Sequence, residues 1–257
     1  MKIAVCLKQV PAKDAPLRID EAATWVHEGN LSFETNEPDA FALEEALRLK
    51  EKHGGEVVVV SLGPERVRQV IKEGLAKGAE RAIHIRDDEF YTLDPLQMAA
   101  AIAGAVQAEE FDLILTGLQS DDHGFGQAGV VLAELLGLPH ATIIMEIQVQ
   151  DGRLRVKREL EGGWFQWIEL SLPALLTIQS GINKPRYASL KGIMAAKKKE
   201  IREVKRADVL PADRAATLET KRIYVPEKTK HTEFLEGAPK EAVAKLLEKL
   251  KHEARIL

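Results

Sequence analysis

The sequence predicts a three-layer α/β fold on a mostly parallel sheet. Three observations point there: short apolar runs recur through the first half, segments of helical periodicity separate them, and glycine- or proline-bearing turns close them. The opening run, KIAVCLK (residues 2–8), reads as a buried strand closed by Val10-Pro11, where proline ends regular pairing. EVVVVSLG (56–63), RAIHIR (81–86) and FDLILTG (111–117) repeat the type. Between them, 40–52 place Phe41, Leu43, Ala46, Leu47 and Leu49 on related faces, and 65–77 and 95–108 behave likewise. Alternating strand and helix gives a parallel sheet covered on both sides.

Three stretches depart from the alternation. Residues 11–36 alternate around charged turns and are expected to form a hairpin or irregular flap. From His140 the runs ATIIMEIQVQ, RLRVKREL, WFQWIELSL and ALLTIQ, with turns at Asp151-Gly152 and Gly162-Gly163, read as antiparallel strands extending the sheet. After Tyr187 the composition turns basic and periodicity is lost until 240–252, an amphipathic helix; loops of such length are usually functional or disordered. An α/β domain over 1–185 and an arm over 186–257 are expected.

Composition narrows the function. Hydrophobic residues at 45% and charged residues at 30% are ordinary for a folded globular protein. Thirty-six Lys and Arg against 40 Asp and Glu, a net charge of -4, leave no global positive field for nucleic acid or an anionic membrane. The single cysteine, Cys6, excludes an intrachain disulfide, and the seven histidines show no paired-cysteine or His-Glu-x-x-His spacing, so no metal site is read from the sequence. The longest uncharged stretches, 95–108 and 170–183, fall short of the ~18 residues a membrane-spanning helix needs. Met1-Lys2 leads into a run without a small-residue cleavage site, so a cytoplasmic location is expected.

The most informative local feature is TGLQSDDHGFGQAGVVLAELLG (116–137). A strand ends at Thr116-Gly117, and Gly124, Gly126 and Gly129 open a helix from about Gln127. A glycine-rich helix start offers unpaired N–H groups and close approach to the main chain, which suits a phosphate. Residues 124–129 spell Gly-x-Gly-x-x-Gly, yet a dinucleotide fingerprint sits at the first strand-to-helix turn and its acid ends the next strand, whereas Glu146 falls inside a strand. A turn that only packs helix on strand is the alternative. The strand ends 6–10 and 61–64 and the segment 36–39 before the first helix face the same sheet edge and would help to enclose a mononucleotide. Cys6 reads equally as a small core hydrophobe. No nucleophile and base pair stands out.

Together these pieces resemble the β subunit of electron transfer flavoproteins. The resemblance rests on KIAVCLKQV, Asn36 with FALEEALRLKEK, VVVVSLGP, EGLAKGAERAIHI, DLILTGLQSDDHGFGQAG and above all NKPRYASLKGIMAAKKKEI (183–201). It implies a fold of the adenine-nucleotide α-hydrolase-like type with an antiparallel extension and a C-terminal arm. It implies a heterodimer subunit, not an enzyme, that carries electrons from acyl-CoA and other flavin dehydrogenases, as in fatty acid β-oxidation, to a membrane quinone reductase. FAD would be held mainly by the α subunit, and AMP would be bound structurally here, in a chain that does not itself enter the membrane. Carried over by position, the AMP contacts are Cys6, Asn36, Glu37, Pro38, Asp39, Leu62, Asp122, His123, Gly124, Phe125, Gly126, Gln127, Ala128, Gly129, Val130, Val131, Leu132 and Ala133. The docking loop for dehydrogenases would include Arg186, Tyr187, Leu190, Ile193, Met194, Lys197 and Lys198, with Leu190 as anchor and Lys191 and Lys197 to Lys199 steering acidic partners. The terminal helix would contact the α subunit. Read from the residues alone, Leu190, Ile193 and Met194 are instead the buried face of a short helix.

One departure from the family pattern matters. Many AMP-binding members carry a run of acids, then Cys or Asn, then Gln-Thr-Gly, where this chain has Asp122-His123-Gly124-Phe125-Gly126-Gln127-Ala128-Gly129. Electron-bifurcating members hold a second FAD at this place, and the two glycines open space for a diphosphate. A nicotinamide-dependent enzyme and a stand-alone adenine-nucleotide-binding protein are the remaining readings.

Overall fold

A computed structural model describes residues 1–150, 152–210, 215–227 and 232–256; Asp151, one half of the expected meander turn, and parts of the arm lie outside them. Five strands and three helices alternate first: β1 (Lys2–Cys6), the short pair β2 (Gln9–Pro11) and β3 (Phe33–Thr35), α1 (Glu37–His53), β4 (Glu56–Gly63), α2 (Arg68–Lys77), β5 (Arg81–Arg86) and α3 (Pro95–Val106). Then come β6 (Leu113–Gly117), α4 (Ala128–Leu136), β7 (His140–Gln150), β8 (Arg153–Glu159), β9 (Phe165–Ser171) and β10 (Ala174–Ile178). The last elements are α5 (Leu190–Ala196), β11 (Ile201–Lys205), α6 (Arg206–Val209) and α7 (Pro239–His252). β2 and β3 pair antiparallel at the base of the 11–36 excursion, so the stretch combines both expected forms, a short antiparallel pair carrying an irregular flap.

The main sheet has nine strands in the order β11-β5-β4-β1-β6-β10-β7-β8-β9. Pairing is parallel from β11 to β7 and antiparallel from β7 through β9. Successive side chains of a strand point to opposite faces, which divides the apolar runs between two helical layers. Ile3, Val5, Val57, Val59, Leu113 and Leu115 pack with Leu43 and Leu47 of α1 and Ile71 and Leu75 of α2. Ala4, Val58, Val60, Ile83 and Ile114 pack with Ala99 and Ala101 of α3 and Leu132 of α4 on the other side. Each fully buried Leu or Ile here contributes ~1.5–3 kcal/mol.

Two expectations need correction. ALLTIQ is not an antiparallel continuation: β10 returns to the sheet centre and pairs parallel with both β6 and β7. All five of its residues are buried, which only an interior strand covered on both faces allows. The stretch after Tyr187 is also not without core elements, since β11 forms the sheet edge beside β5. Its sequence, IREVK, hides the strand because charges alternate along an exposed edge, a common protection against edge-to-edge pairing.

The described chain forms two compact units, Met1–Ile223 and Tyr224–Leu257. Residues 186–209 therefore stay with the first unit through α5, β11 and α6. The second unit contains α7, on which Val243, Leu246 and Leu247 are exposed. No helix among the described residues is long and apolar enough to cross a membrane.

Candidate nucleotide-binding site

Strand order reverses between β1 and β6. From β1 the chain builds outward through β4 and β5, then returns to the other side of β1 with β6. A crevice opens at the carboxyl ends of the strands at such a switch point, where ligands of open α/β sheets bind. Here it encloses about 900 Å³ of empty space, including the part open to solvent. Cys6, Lys8, Val60, Leu62 and Thr116 line it from the strand ends; Phe90, Met98 and Ile102 supply an apolar wall; Ser120, His123 and Phe125 to Gly129 close the far side.

The α1 start braces this crevice from beneath. Asp39, nearly fully buried, accepts the N–H of Lys8 on Oδ2 at 2.7 Å and of Gly117 on Oδ1 at 2.9 Å. One carboxylate thus ties together the ends of β1 and β6. Burial pushes its pKa up to about 7 against the lowering effect of these N–H groups and of Asn36. The Asn36 side chain donates to Gln119 O at 2.9 Å and accepts from Asp121 N at 2.9 Å, which fixes the loop leading to the glycines. Gly117 is required beside this brace, because a Cβ there would lie 2.3 Å from Asp39 Oδ1.

Each glycine of the turn has a different reason. Gly124 and Gly126 adopt φ of +64° and +63°, the left-handed region that L side chains avoid, and no atom lies closer than 3.9 Å to their would-be Cβ positions. Gly129 packs helix on strand: a Cβ there would meet Thr116 Oγ1 at 2.6 Å and Thr177 Cγ2 at 2.7 Å. The α4 start carries no side-chain cap and no acid in its first turn, whereas α3 is capped by Asp94. Its first-turn N–H groups stand at the crevice with the positive end of the helix dipole.

Lys8 belongs to the 6–10 strand end expected at this edge, but its charged partners are not legible in the sequence. Its ammonium donates to Asp122 at 2.6 Å and Ser120 at 3.2 Å, and lies 3.3 Å from His123 Nδ1. Burial pushes the Asp122 carboxyl up, but Lys8 more than offsets this and leaves it below its ordinary value. Burial and Lys8 together lower His123, so the cluster holds one ion pair beside a neutral imidazole. The flap reaches the same place, since Trp25 stacks on Tyr91 with centroids 5.5 Å apart and meets His123 edge-on at 5.3 Å.

Of the residues carried over by resemblance, Cys6, Asn36, Asp39, Leu62, His123, Phe125 to Gly129 and Leu132 line the crevice. Glu37, Pro38, Asp122, Gly124, Val130, Val131 and Ala133 do not; Glu37 pairs with Lys13, Asp122 holds Lys8, and Ala133 lies on the core-facing side of α4. The Cys6 thiol is pushed up to about 12, by burial first and by Asp39 second, and is a protonated wall group rather than a nucleophile. The crevice offers dipoles and apolar surface for binding.

The 183–199 segment is a second distinct structure. Asn183 donates to Phe41 O and Glu45, both at 3.0 Å, and Arg186 forks over Glu44 with N–O distances of 2.8 and 3.0 Å while also reaching Glu51. These carboxylates hold the Arg186 guanidinium well above its ordinary pKa. Ser189 caps α5 through Gly192 N at 3.0 Å. It is Gly192 and Ala196 that meet the protein, for a Cβ on Gly192 would lie 2.1 Å from Ala76 O in α2. Leu190, Met194 and Ile193 consequently point outward with exposures of 84%, 63% and 45%, and Tyr187 reaches 94%. The buried-face reading of this helix is therefore overturned. Lys197 and Lys198 are exposed, but Lys199 is not a steering charge: its ammonium donates to Leu75 O and Ala79 O at the end of α2.

An electron transfer flavoprotein domain matches residues 24–209, a span that includes the glycine turn and the 183–199 segment. The chain is 39% identical to electron transfer flavoprotein subunit beta of Methylophilus methylotrophus, over 96% of this chain and 97% of that protein. The chain belongs to the electron transfer flavoprotein β-subunit family. The subunit of the same name from Bradyrhizobium diazoefficiens is 38% identical over the full length of both chains, and that of Bacillus subtilis 34% over 93% of this chain and 90% of its own. The family name designates an electron carrier, in keeping with a site built for binding. It also implies a flavin associated with a heterodimer and an α-subunit partner.

Proposed function

We propose that this chain, as the β subunit of a heterodimeric electron transfer flavoprotein, binds AMP in the switch-point crevice and serves a FAD held mainly by the α subunit. The observation that carries the proposal is the uncapped α4 start facing an apolar-walled crevice at the β1/β6 reversal. An adenine suits the wall of Leu62, Phe90, Met98 and Ile102, and a phosphate suits the N–H groups at the α4 start. FAD, when bound, supplies the redox chemistry. This chain's residues hold the nucleotide, exclude water from the apolar wall and present surfaces to partners.

Electrons would pass from acyl-CoA and related flavin dehydrogenases, as in β-oxidation, to a membrane quinone reductase, in the cytoplasm. The docking loop we assign to Arg186, Tyr187, Leu190, Ile193, Met194, Lys197 and Lys198. Its outward aliphatic side chains provide the pocket-filling contact and Lys197 and Lys198 the attraction to acidic partners. The 186–257 arm is proposed to reach the α subunit, with the exposed Val243, Leu246 and Leu247 of α7 as contact residues.

A second reading, the bifurcating form with FAD in the crevice, is favoured by the free space beside Gly126. Co-expression with the α partner, followed by extraction of small molecules, separates the two. One FAD and one AMP per heterodimer is the expected result; two FAD without AMP replaces it with the bifurcating form. Gly126→Val should lower the nucleotide content of the crevice, and equal content in mutant and parent would sink the anion cradle.

A further inference from the structure

We infer that Glu65, His84 and Glu203 form a binding site for a divalent transition-metal ion of the zinc class, which staples the edge strand β11 to the sheet. The three residues come from the turn after β4, from β5 and from β11, and one ligand atom of each lies within 4.8 Å of the others. His84 carries the argument. It is fully buried, and its Nε2 lies 3.0 Å from Gly63 O. A carbonyl oxygen can only accept, so Nε2 bears the proton and donates it. Nδ1 has no hydrogen-bond partner among the described residues, and its nearest charged neighbour is Glu203 Oε2 at 3.6 Å.

A histidine with one nitrogen donating to a backbone carbonyl and the other presenting a buried lone pair to carboxylates has the arrangement of a metal ligand. Ligand atoms around tetrahedral zinc, at bond lengths of about 2.0–2.2 Å, stand roughly 3.4 Å apart. The His84–Glu203 spacing is close to that already, and Glu65 and Glu203, whose side chains are partly exposed, have room to close the rest. One imidazole and two carboxylates suit zinc or a neighbouring first-row ion rather than calcium or magnesium. Arg68 Nη1 lies 3.1 Å from Glu203 Oε2, and Arg86 pairs with Glu65. These arginines neutralise the carboxylates without metal and compete with it. Removing Arg68 should therefore tighten binding.

The test is calorimetric titration of the chelator-stripped full chain with zinc chloride, alongside thermal unfolding with and without zinc. The expected result is one ion per chain and a zinc-dependent rise in unfolding temperature. Glu203→Gln and Glu65→Gln should each weaken binding at least tenfold, and Arg68→Gln should strengthen it several-fold. His84→Asn should abolish binding; because His84 is buried, the two glutamine variants decide the question if that protein does not fold. Absence of binding at millimolar zinc, or equal affinity in the parent and both glutamine variants, overturns the site.

Discussion

The crevice and the 183–199 segment are both held by buried or half-buried carboxylates of α1, yet the two anchors do opposite things. At the crevice, Asp39 faces inward and its bonds to Lys8 N and Gly117 N draw two strand ends together around an enclosed space. On the segment, Glu44 and Glu45, themselves buried, grip Arg186 and Asn183, while Lys199 fastens the far end to α2. Between those fastenings Gly192 and Ala196 meet the protein, so Tyr187, Leu190 and Met194 project into solvent. One helix thus shapes a recess on one side and a rigid projection on another. The lesson is that exposure of large apolar side chains need not mean looseness when both ends of a segment are tied by charge-assisted bonds.

Five variants test this contrast. Asp39→Asn should have the largest effect. An amide nitrogen cannot accept, so either Lys8 N–H or Gly117 N–H loses its partner inside the protein, at a cost of up to about 3 kcal/mol in urea unfolding. The pH profile adds a signature. With its pKa raised to about 7, folded Asp39 binds a proton that the unfolded chain has released, so its contribution to stability falls as pH rises from about 4 to about 7. Asp39→Asn should flatten that slope, and an unchanged slope would assign it to other groups.

Arg186→Ala comes next. It leaves the buried Glu44 carboxylate without its fork and should cost about 2 kcal/mol, with faster proteolysis near residue 187. Gly126→Ala should cost only about 1 kcal/mol, because the new Cβ meets open space and the expense is the left-handed backbone alone. If it instead cost as much as a packed glycine, the space beside Gly126 would be smaller than described. Leu190→Ala should change stability by less than about 0.5 kcal/mol, since the side chain is 84% exposed. The same variant should weaken coupling of the reconstituted heterodimer to an acyl-CoA dehydrogenase by ~2 kcal/mol, the usual loss at an anchor. Neutralising Lys197 and Lys198 should slow that association mainly at low salt, because a Debye length of about 8 Å already screens steering near physiological ionic strength. Flavin release on Leu190→Ala would return the residue to a structural role.

Much of this architecture is legible in the chain itself. Continuous runs such as VVVV and LILT can only be covered on both faces, and the helical spacing between them supplies the cover, so the layers follow from local periodicity. The glycines before α4 mark a backbone that side chains would obstruct, and the NKPRY motif marks a segment that general rules of helix and strand do not explain. Pairing across the sheet is a different matter. Nothing local tells ALLTI to enter between β6 and β7, or IREVK to become an edge, because neighbours in a sheet are chosen by the burial of whole surfaces. Periodicity along α5 likewise cannot say whether Leu190 or Gly192 faces the protein; the close approach of Gly192 to Ala76 O decides it. The juxtaposition of Glu65, His84 and Glu203 has no spacing to reveal it. The sequence by itself determined which segments pack and where the backbone must stay bare, since those depend on residues near one another in the chain. The tertiary structure alone decided which side chains meet, because that depends on strand order, and strand order is set only when distant segments compete for the same buried surface.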